Sequence, residues 1–259
     1  MDVPGYVAAL TMKVLMKSTV LVQRPELVEP ELFGQRSNLI FRSLGAEDFI
    51  AWKILREIVI THLEDQDHYV READEAGFFK LHSQPFGHCI GAFAGDALVA
   101  YAMLRVPSLS QEENLACTAK MSPSSWSQAA HLASCMVHPD WRGHHLQVLL
   151  LRTRMALAQA WGRPLCLAMV SLRNTASRRN LMRQGLHVVW TGWIDGLQRH
   201  IMAVNLLNVV VPQYDGTQIY DVLCNDFARM HALTSEGFVG VHEVKMSQGQ
   251  GLRFVRLNG

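Results

Sequence analysis

The residues most able to do chemistry sit together in Val137-His138-Pro139-Asp140-Trp141-Arg142-Gly143-His144-His145-Leu146-Gln147. The apolar run Ala130 to Val137 reads as a strand, stopped at Pro139 because proline cannot donate to a ladder. Behind it, Leu146, Leu149, Leu150, Met155 and Leu157 fall at helical spacing up to about Trp161, and Gly162-Arg163-Pro164 ends the run. A turn that leaves a strand and opens a helix presents several backbone N–H groups together with the positive end of the helix dipole, which is a seat for phosphate. Other groupings carry less. His138, Asp140, His144 and His145 lack the i, i+4 histidine pair of a helical zinc site and offer no thiolate, so no metal is expected. His242-Glu243 opens like a zinc-protease helix, but Met246 stands where the second histidine belongs. Cys135 as an acylated nucleophile would need a base that the sequence does not place beside it.

Composition narrows the partners. Lys and Arg number 24 against 23 Asp and Glu, so the net charge of +1 supplies no field for nucleic acid or an anionic membrane. No apolar run reaches transmembrane length, and Lys13 and Lys17 interrupt the apolar stretch Val7 to Val22, against a signal peptide. The five cysteines are irregularly spaced with no Cys-x-x-Cys pair and read as reduced thiols of a cytoplasmic protein.

The elements around the turn follow from periodicity. Leu39 to Arg42 reads as a short strand, and Phe49, Ile50, Leu55, Ile58 and Val59 mark a helix whose first turn holds Glu47 and Asp48. A second helical stretch is expected around Tyr69 to Phe79. The runs from His88 and from Ala97, separated by Gly95-Asp96, form a hairpin, and a polar loop from Pro107 to Gln128 follows. Leu165 to Val170 is a continuous apolar strand, Asn174 to Gln184 a helix capped by Gly185, and a hairpin turns at Asp195-Gly196. The order β-α-α-β-β-β-α-β-α-β-β gives a mixed α/β sheet with helices on both faces. After Pro212 the pattern echoes the preceding unit, with a helix at Asn225 to Ser235, Gly237 as its cap, and a hairpin of Phe238 to Val244 with Leu252 to Leu257. Too few residues remain there for a complete second catalytic domain.

The Val137–Gln147 segment resembles the acyl-CoA-binding motif of the GNAT superfamily, in which a Val-x-Pro-x-x-Arg-Gly run leads into a loop around the CoA pyrophosphate. Asn174-Thr175-Ala176-Ser177, with Gly185 eight residues beyond Ser177, resembles the family's next helix, whose opening asparagine lies near the pantetheine arm. The resemblance covers about 38–211 and implies a GNAT-like, mostly antiparallel central sheet. It leaves an N-terminal arm at 1–37 and a helix-hairpin extension at 212–259. The family usually has glycine where this chain has His145, and glycine or alanine where it has Gln147. Leu181 stands where the family often has a tyrosine that protonates the departing thiolate.

What the resemblance implies is an N-acetyltransferase that uses acetyl-CoA and takes an amine of a small molecule or peptide as acceptor. Arg142, Gly143, His144, His145, Leu146 and Gln147 would hold the pyrophosphate, Met136 and Val137 would present N–H groups to the thioester carbonyl, and Asn174 and Ser177 would hold the pantetheine arm. His131 lies six residues before Val137, where many members carry a catalytic glutamate, and an imidazole with an ordinary pKa of about 6.5 suits a general base. The alternatives are a degenerate GNAT fold that senses CoA or binds a protein, and a transferase of longer acyl groups. Phe238, Val239, Val241, Phe254 and Val255 give the last hairpin apolar surface to bury on the main domain or at a subunit contact, which is compatible with a homodimer.

Overall fold

The computed structural model describes residues 26–27, 39–83, 87–109, 113–207 and 218–257. The arm, apart from Glu26–Leu27, and the boundary expected at Val211 and Pro212 lie outside the described residues. In chain order the elements are β1 (Glu26–Leu27), β2 (Leu39–Ser43), α1 (Phe49–Thr61), α2 (Glu75–Leu81), β3 (Gly87–Ala94), β4 (Ala97–Arg105), α3 (Leu115–Thr118), α4 (Pro123–Trp126) and β5 (Ala129–Val137). They continue as α5 (Leu146–Ala160), β6 (Leu165–Ser171), α6 (Thr175–Met182), β7 (His187–Ile194), β8 (Leu197–Asn205), β9 (Ile219–Leu223), α7 (Phe227–Ser235), β10 (Val239–Met246) and β11 (Gly249–Val255). This is the mixed, mostly antiparallel sheet flanked by helices that the sequence implies. The chain forms two compact units, one of residues 1–62, 72–106 and 132–162, the other of 63–71, 107–131 and 163–259.

In the first unit β2, β3 and β4 pair antiparallel and the C-terminal part of β5 lies beside β4. Gly95, at φ +58°, makes the tight turn of the β3–β4 hairpin. Trp52, fully buried, is the centre of the core: Phe49, Phe78, Phe79 and Tyr101 all stack or meet it within 6.3 Å or meet one another at similar distance. Arg56, equally buried, lies over the Trp52 ring and is paired with Glu72 at 2.5 Å and with Glu75. Those two carboxylates explain why the second helix starts later than its apolar pattern suggests. Asp74 caps it by accepting from the Gly77 N–H at 2.9 Å, so Tyr69 to Glu72 stay non-helical and Glu72 reaches Arg56.

The second unit is built around β6, β8 and β7, with Ala116, Ala129, Leu165, Leu167, Ile201 and Ala203 as its packed centre. Ala129–His131 of β5 pairs in parallel with Leu165–Leu167 of β6. The expected Pro107 to Gln128 loop contains two single-turn helices folded around the buried Asn114, whose Nδ2 donates to Ser108 O and Trp126 O while its oxygen caps α3 at Ala116 N. The segment 63–71 is held by Asp67, which accepts from Arg199 at 2.9 Å and from Ser171 Oγ, and by Asp65, which accepts from Arg173 at 3.2 Å. Both Arg199 and Ser171 are buried.

His82, His88 and His200 are buried and neutral. Burial pushes His82 and His88 down from 6.5 to about 4, and burial, then the nearby Arg178 cation, pushes His200 to about 3. These folded-state values lie below the unfolded one, so the unfolded chain takes up the protons first. The stability that depends on neutrality is intact above about pH 6.5 and is lost as pH falls toward 4. Each histidine costs at most about 1.4 kcal/mol per pH unit below 6.5. Urea unfolding followed from pH 7 to pH 5 is therefore expected to show a falling midpoint, and His200→Gln should flatten that slope by about one proton. An unchanged slope would mean that His200 already binds a proton in the folded chain.

Candidate active site

The turn between β5 and α5 is fixed from both sides. At its start the His138 N–H donates to Val99 O at 2.8 Å, which ties the end of β5 to β4. A single 3-10 turn, Pro139–Trp141, follows; the His138 ring accepts from Asp140 N at 3.2 Å, and Trp141 N and Arg142 N donate back to His138 O and Pro139 O. The His144 ring then donates from Nδ1 to the carbonyls of Trp141 and Arg142, 3.2 and 3.1 Å away, and closes the loop on itself. On the far side, Leu146, Leu150 and Leu151 are buried. Arg154, also buried, donates to Leu150 O, to Met103 O on β4 and to Ala133 O on β5, so α5 is fastened to both strands by one guanidinium.

Between these anchors the backbone turns left-handed twice, at Gly143 with φ +82° and at His145 with φ +59°. The second explains the glycine usual in the family. The loop needs a left-handed residue just before α5, and histidine supplies it here at a steric cost of about 1 kcal/mol. The exposed His145 side chain makes no capping hydrogen bond to α5. A cap would fill the space before the first turn of the helix. Here His145 supplies no such side chain, and the first turn of α5 lies where the helix dipole is positive. Arg142 and Gly143 are exposed beside them, and a Cβ built on Gly143 meets nothing within 4 Å. The expected residues from Arg142 to Gln147 thus form one continuous turn, with Met136 and Val137 as the last two residues of the strand that feeds it.

The other expected residues belong to the second unit. The Asn174 side chain accepts from Ser177 N at 3.0 Å and so caps α6, and its amide nitrogen has no hydrogen-bond partner among the described residues. His131 is buried, 7% exposed, and its Nε2 accepts from the Leu115 N–H at 3.1 Å. That places the ring proton on Nδ1 and commits the Nε2 lone pair to α3. Leu181, at the family's tyrosine position, is buried. Packing around Cys135 pushes its thiol pKa up, away from the thiolate that a nucleophile needs. Among the described residues no group of three or more His, Cys, Asp or Glu is arranged to hold a metal. Asn114 and Asp67, which order the segments 107–131 and 63–71, were missed from the sequence; Asn114 ahead of Leu115-Ala116-Cys117 is a capping signal, whereas the reach of Asp67 to Arg199 leaves none.

Comparison with known proteins bears on the same residues. The family model described as Acetyltransferase (GNAT) family matches 52–186, more than half of the chain and inclusive of the turn and α6. Among solved structures, an N-acetyltransferase from Staphylococcus aureus Mu50 has a TM-score of 0.51 at 15% identity over 66% of this chain and 99% of its own. The putative acetyltransferase yncA from Salmonella typhimurium, solved with its cofactor acetyl-CoA, gives 0.47 at 18% identity over 65% of this chain and 94% of its own. The ribosomal-protein-S18-alanine N-acetyltransferase from Escherichia coli gives 0.45 at 15% identity, over 68% and 99%. A search of curated proteins returns no match. At 15% identity the first of these structures speaks to the fold alone, but the family model, which spans more than half of the chain, settles the assignment: the chain belongs to the Acetyltransferase (GNAT) family.

Proposed function

We propose that the chain is an acyl-CoA-dependent N-acyltransferase that moves acetyl from acetyl-CoA to an amine of a small molecule or peptide. The observation that carries this reading is the uncapped start of α5 behind a doubly left-handed turn, flanked by Arg142. Bound there, acetyl-CoA supplies an activated thioester carbonyl. The residues from Arg142 to Gln147 meet the pyrophosphate charge with backbone N–H groups, the helix dipole and one guanidinium. Met136 and Val137 are the proposed N–H donors to the carbonyl oxygen, and the amide nitrogen of Asn174, with Ser177, is the proposed contact of the pantetheine arm. Position and electrostatics are then the protein's main contributions.

His131 enters this reading as a positioning residue. Its Nε2 is occupied by Leu115 N–H, so a base role would require α3 to let go of it. Deprotonation of the acceptor amine is assigned to solvent, and so is protonation of the departing thiolate, because Leu181 presents no acid. The same leucine favours a second reading, a CoA-binding module without turnover. Titration calorimetry with acetyl-CoA and CoA, combined with a turnover assay over a panel of amines, separates the two: binding with no turnover on any amine selects the module.

Substitutions at three positions test the site. Gly143→Asp puts a side chain at φ +82° and an anion at the dipole's positive end, and should weaken CoA binding at least about tenfold in calorimetry. Equal affinity in a folded variant would move the pyrophosphate elsewhere. His145→Gly should raise stability by roughly 1 kcal/mol in urea unfolding because it relieves the left-handed backbone, whereas His145→Ala should not. His131→Gln is expected to cost about 1 kcal/mol of stability through the Leu115 hydrogen bond and to leave turnover per folded molecule within about threefold. A fall of roughly 10² to 10⁴ with loss of the acidic limb of the pH profile would instead make His131 the base.

A further inference from the structure

The echo after residue 217 is a repeat at a constant offset of 52 residues. Asn174 caps α6 by accepting from the N–H three residues on, at 3.0 Å, and Asp226 caps α7 in the same way at 3.0 Å. Gly185 and Gly237 follow each cap at the same distance, with φ +87° and +85°. Beyond them Leu186 N donates to Leu181 O and Phe238 N to Leu233 O. Strand β7 (His187–Ile194) and strand β10 (Val239–Met246) begin and end at matching positions, and each skips one residue in its pairing, Val189 and Val241. The pairings also match: β6 and β7 flank β8, and β9 and β10 flank β11, every pair antiparallel.

The two copies meet at their equivalent strands. β7 pairs antiparallel with β10, and the registered pair is Val188 with Gly240, which are the same position in the two copies. An antiparallel pair of equivalent residues defines a local two-fold axis, and the helices obey it. From α6, Arg179 and Arg178 reach Glu243 on β10 at 2.7 and 3.2 Å. From α7, His231 donates to Thr191 O on β7 at 2.6 Å, while Thr191 N donates to Thr234 at 3.1 Å. Arg179 and His231 are equivalent positions, as are Glu243 and Thr191. The symmetry is broken at its centre, where a Cβ on Gly240 would lie 3.0 Å from the Val188 Cβ.

We infer that residues 218–257 are a second copy of the 166–205 unit and that they fill, on β7, an isologous seat that the β7 edge of another molecule of this protein would otherwise take. Isologous surfaces are self-complementary, because each element meets its own equivalent. A strand edge with its row of N–H and C=O groups recruits such a partner unless it is covered. The extension is thus an internal stand-in for a dimer partner, a role independent of the chemistry proposed above.

The test uses the full chain. Val188→Cys with Gly240→Cys should form an intrachain disulfide under mild oxidation, since directly opposed antiparallel residues lie within disulfide reach. Gly240→Val with Glu243→Arg should then unseat the extension without touching β7, by crowding the axis and placing like charge against Arg178 and Arg179. That variant is expected to double in mass by sedimentation. Adding Val188→Cys to it should give a chain-to-chain disulfide joining the two position-188 sulfurs, identified by peptide mass mapping. Absence of the intrachain link overturns the inference. So does an unseated variant that stays monomeric, or one that aggregates or cross-links without the 188-to-188 bond.

Discussion

The turn at the candidate site depends on one backbone constraint: the chain must leave β5 and enter α5 within eight residues, with no side chain of His145 capping the helix. Two left-handed residues achieve this, and neither position suits an ordinary side chain. The strain can persist only if the flanking elements are rigid. Hence the tie from His138 to Val99 on one side and, on the other, a helix buried along its apolar stripe and fastened through Arg154 to carbonyls of two strands.

Three other buried arginines show how distant parts of each unit are specified. Arg56 joins α1 to the start of α2 through Glu72 and Glu75, Arg178 joins α6 to Glu243, and Arg199 joins β8 to Asp67. A buried cation is costly without its carboxylate, so alternative packings that separate these partners are disfavoured more strongly than the net gain of each pair would suggest. Arg154 differs in being met by backbone carbonyls, which bind it to the strands themselves and not to a particular side chain.

Periodicity carried most of the fold from the sequence. The hairpins at Gly95 and at Asp195-Gly196, the α5 and α6 helices and the glycine caps after α6 and α7 all lie where alternation, 3.6-residue spacing and turn chemistry put them. Three features lay beyond such reasoning. β9 is too short and mixed to be seen without its partner β11, the helical turns in 113–126 depend on a buried asparagine, and the late start of α2 follows from Glu72 serving Arg56. At the site, the turn was legible because its chemistry is local. The environment of His131 was not, because the Leu115 N–H that occupies its ring comes from a different element.

The clasp of Asp67 by Arg199 and Ser171 sets an order on biosynthesis. Residues 63–71 leave the ribosome between α1 and α2, yet the two partners of Asp67 lie 132 and 104 residues further along the chain. At about 5–20 residues per second, Asp67 waits on the order of ten seconds for them. α1, α2 and the β3–β4 hairpin can collapse around Trp52 in that interval, since the contacts they make with one another are available by residue 105. The core of the first unit therefore has the means to form during translation, whereas the clasp on 63–71 closes only after β8 has been made.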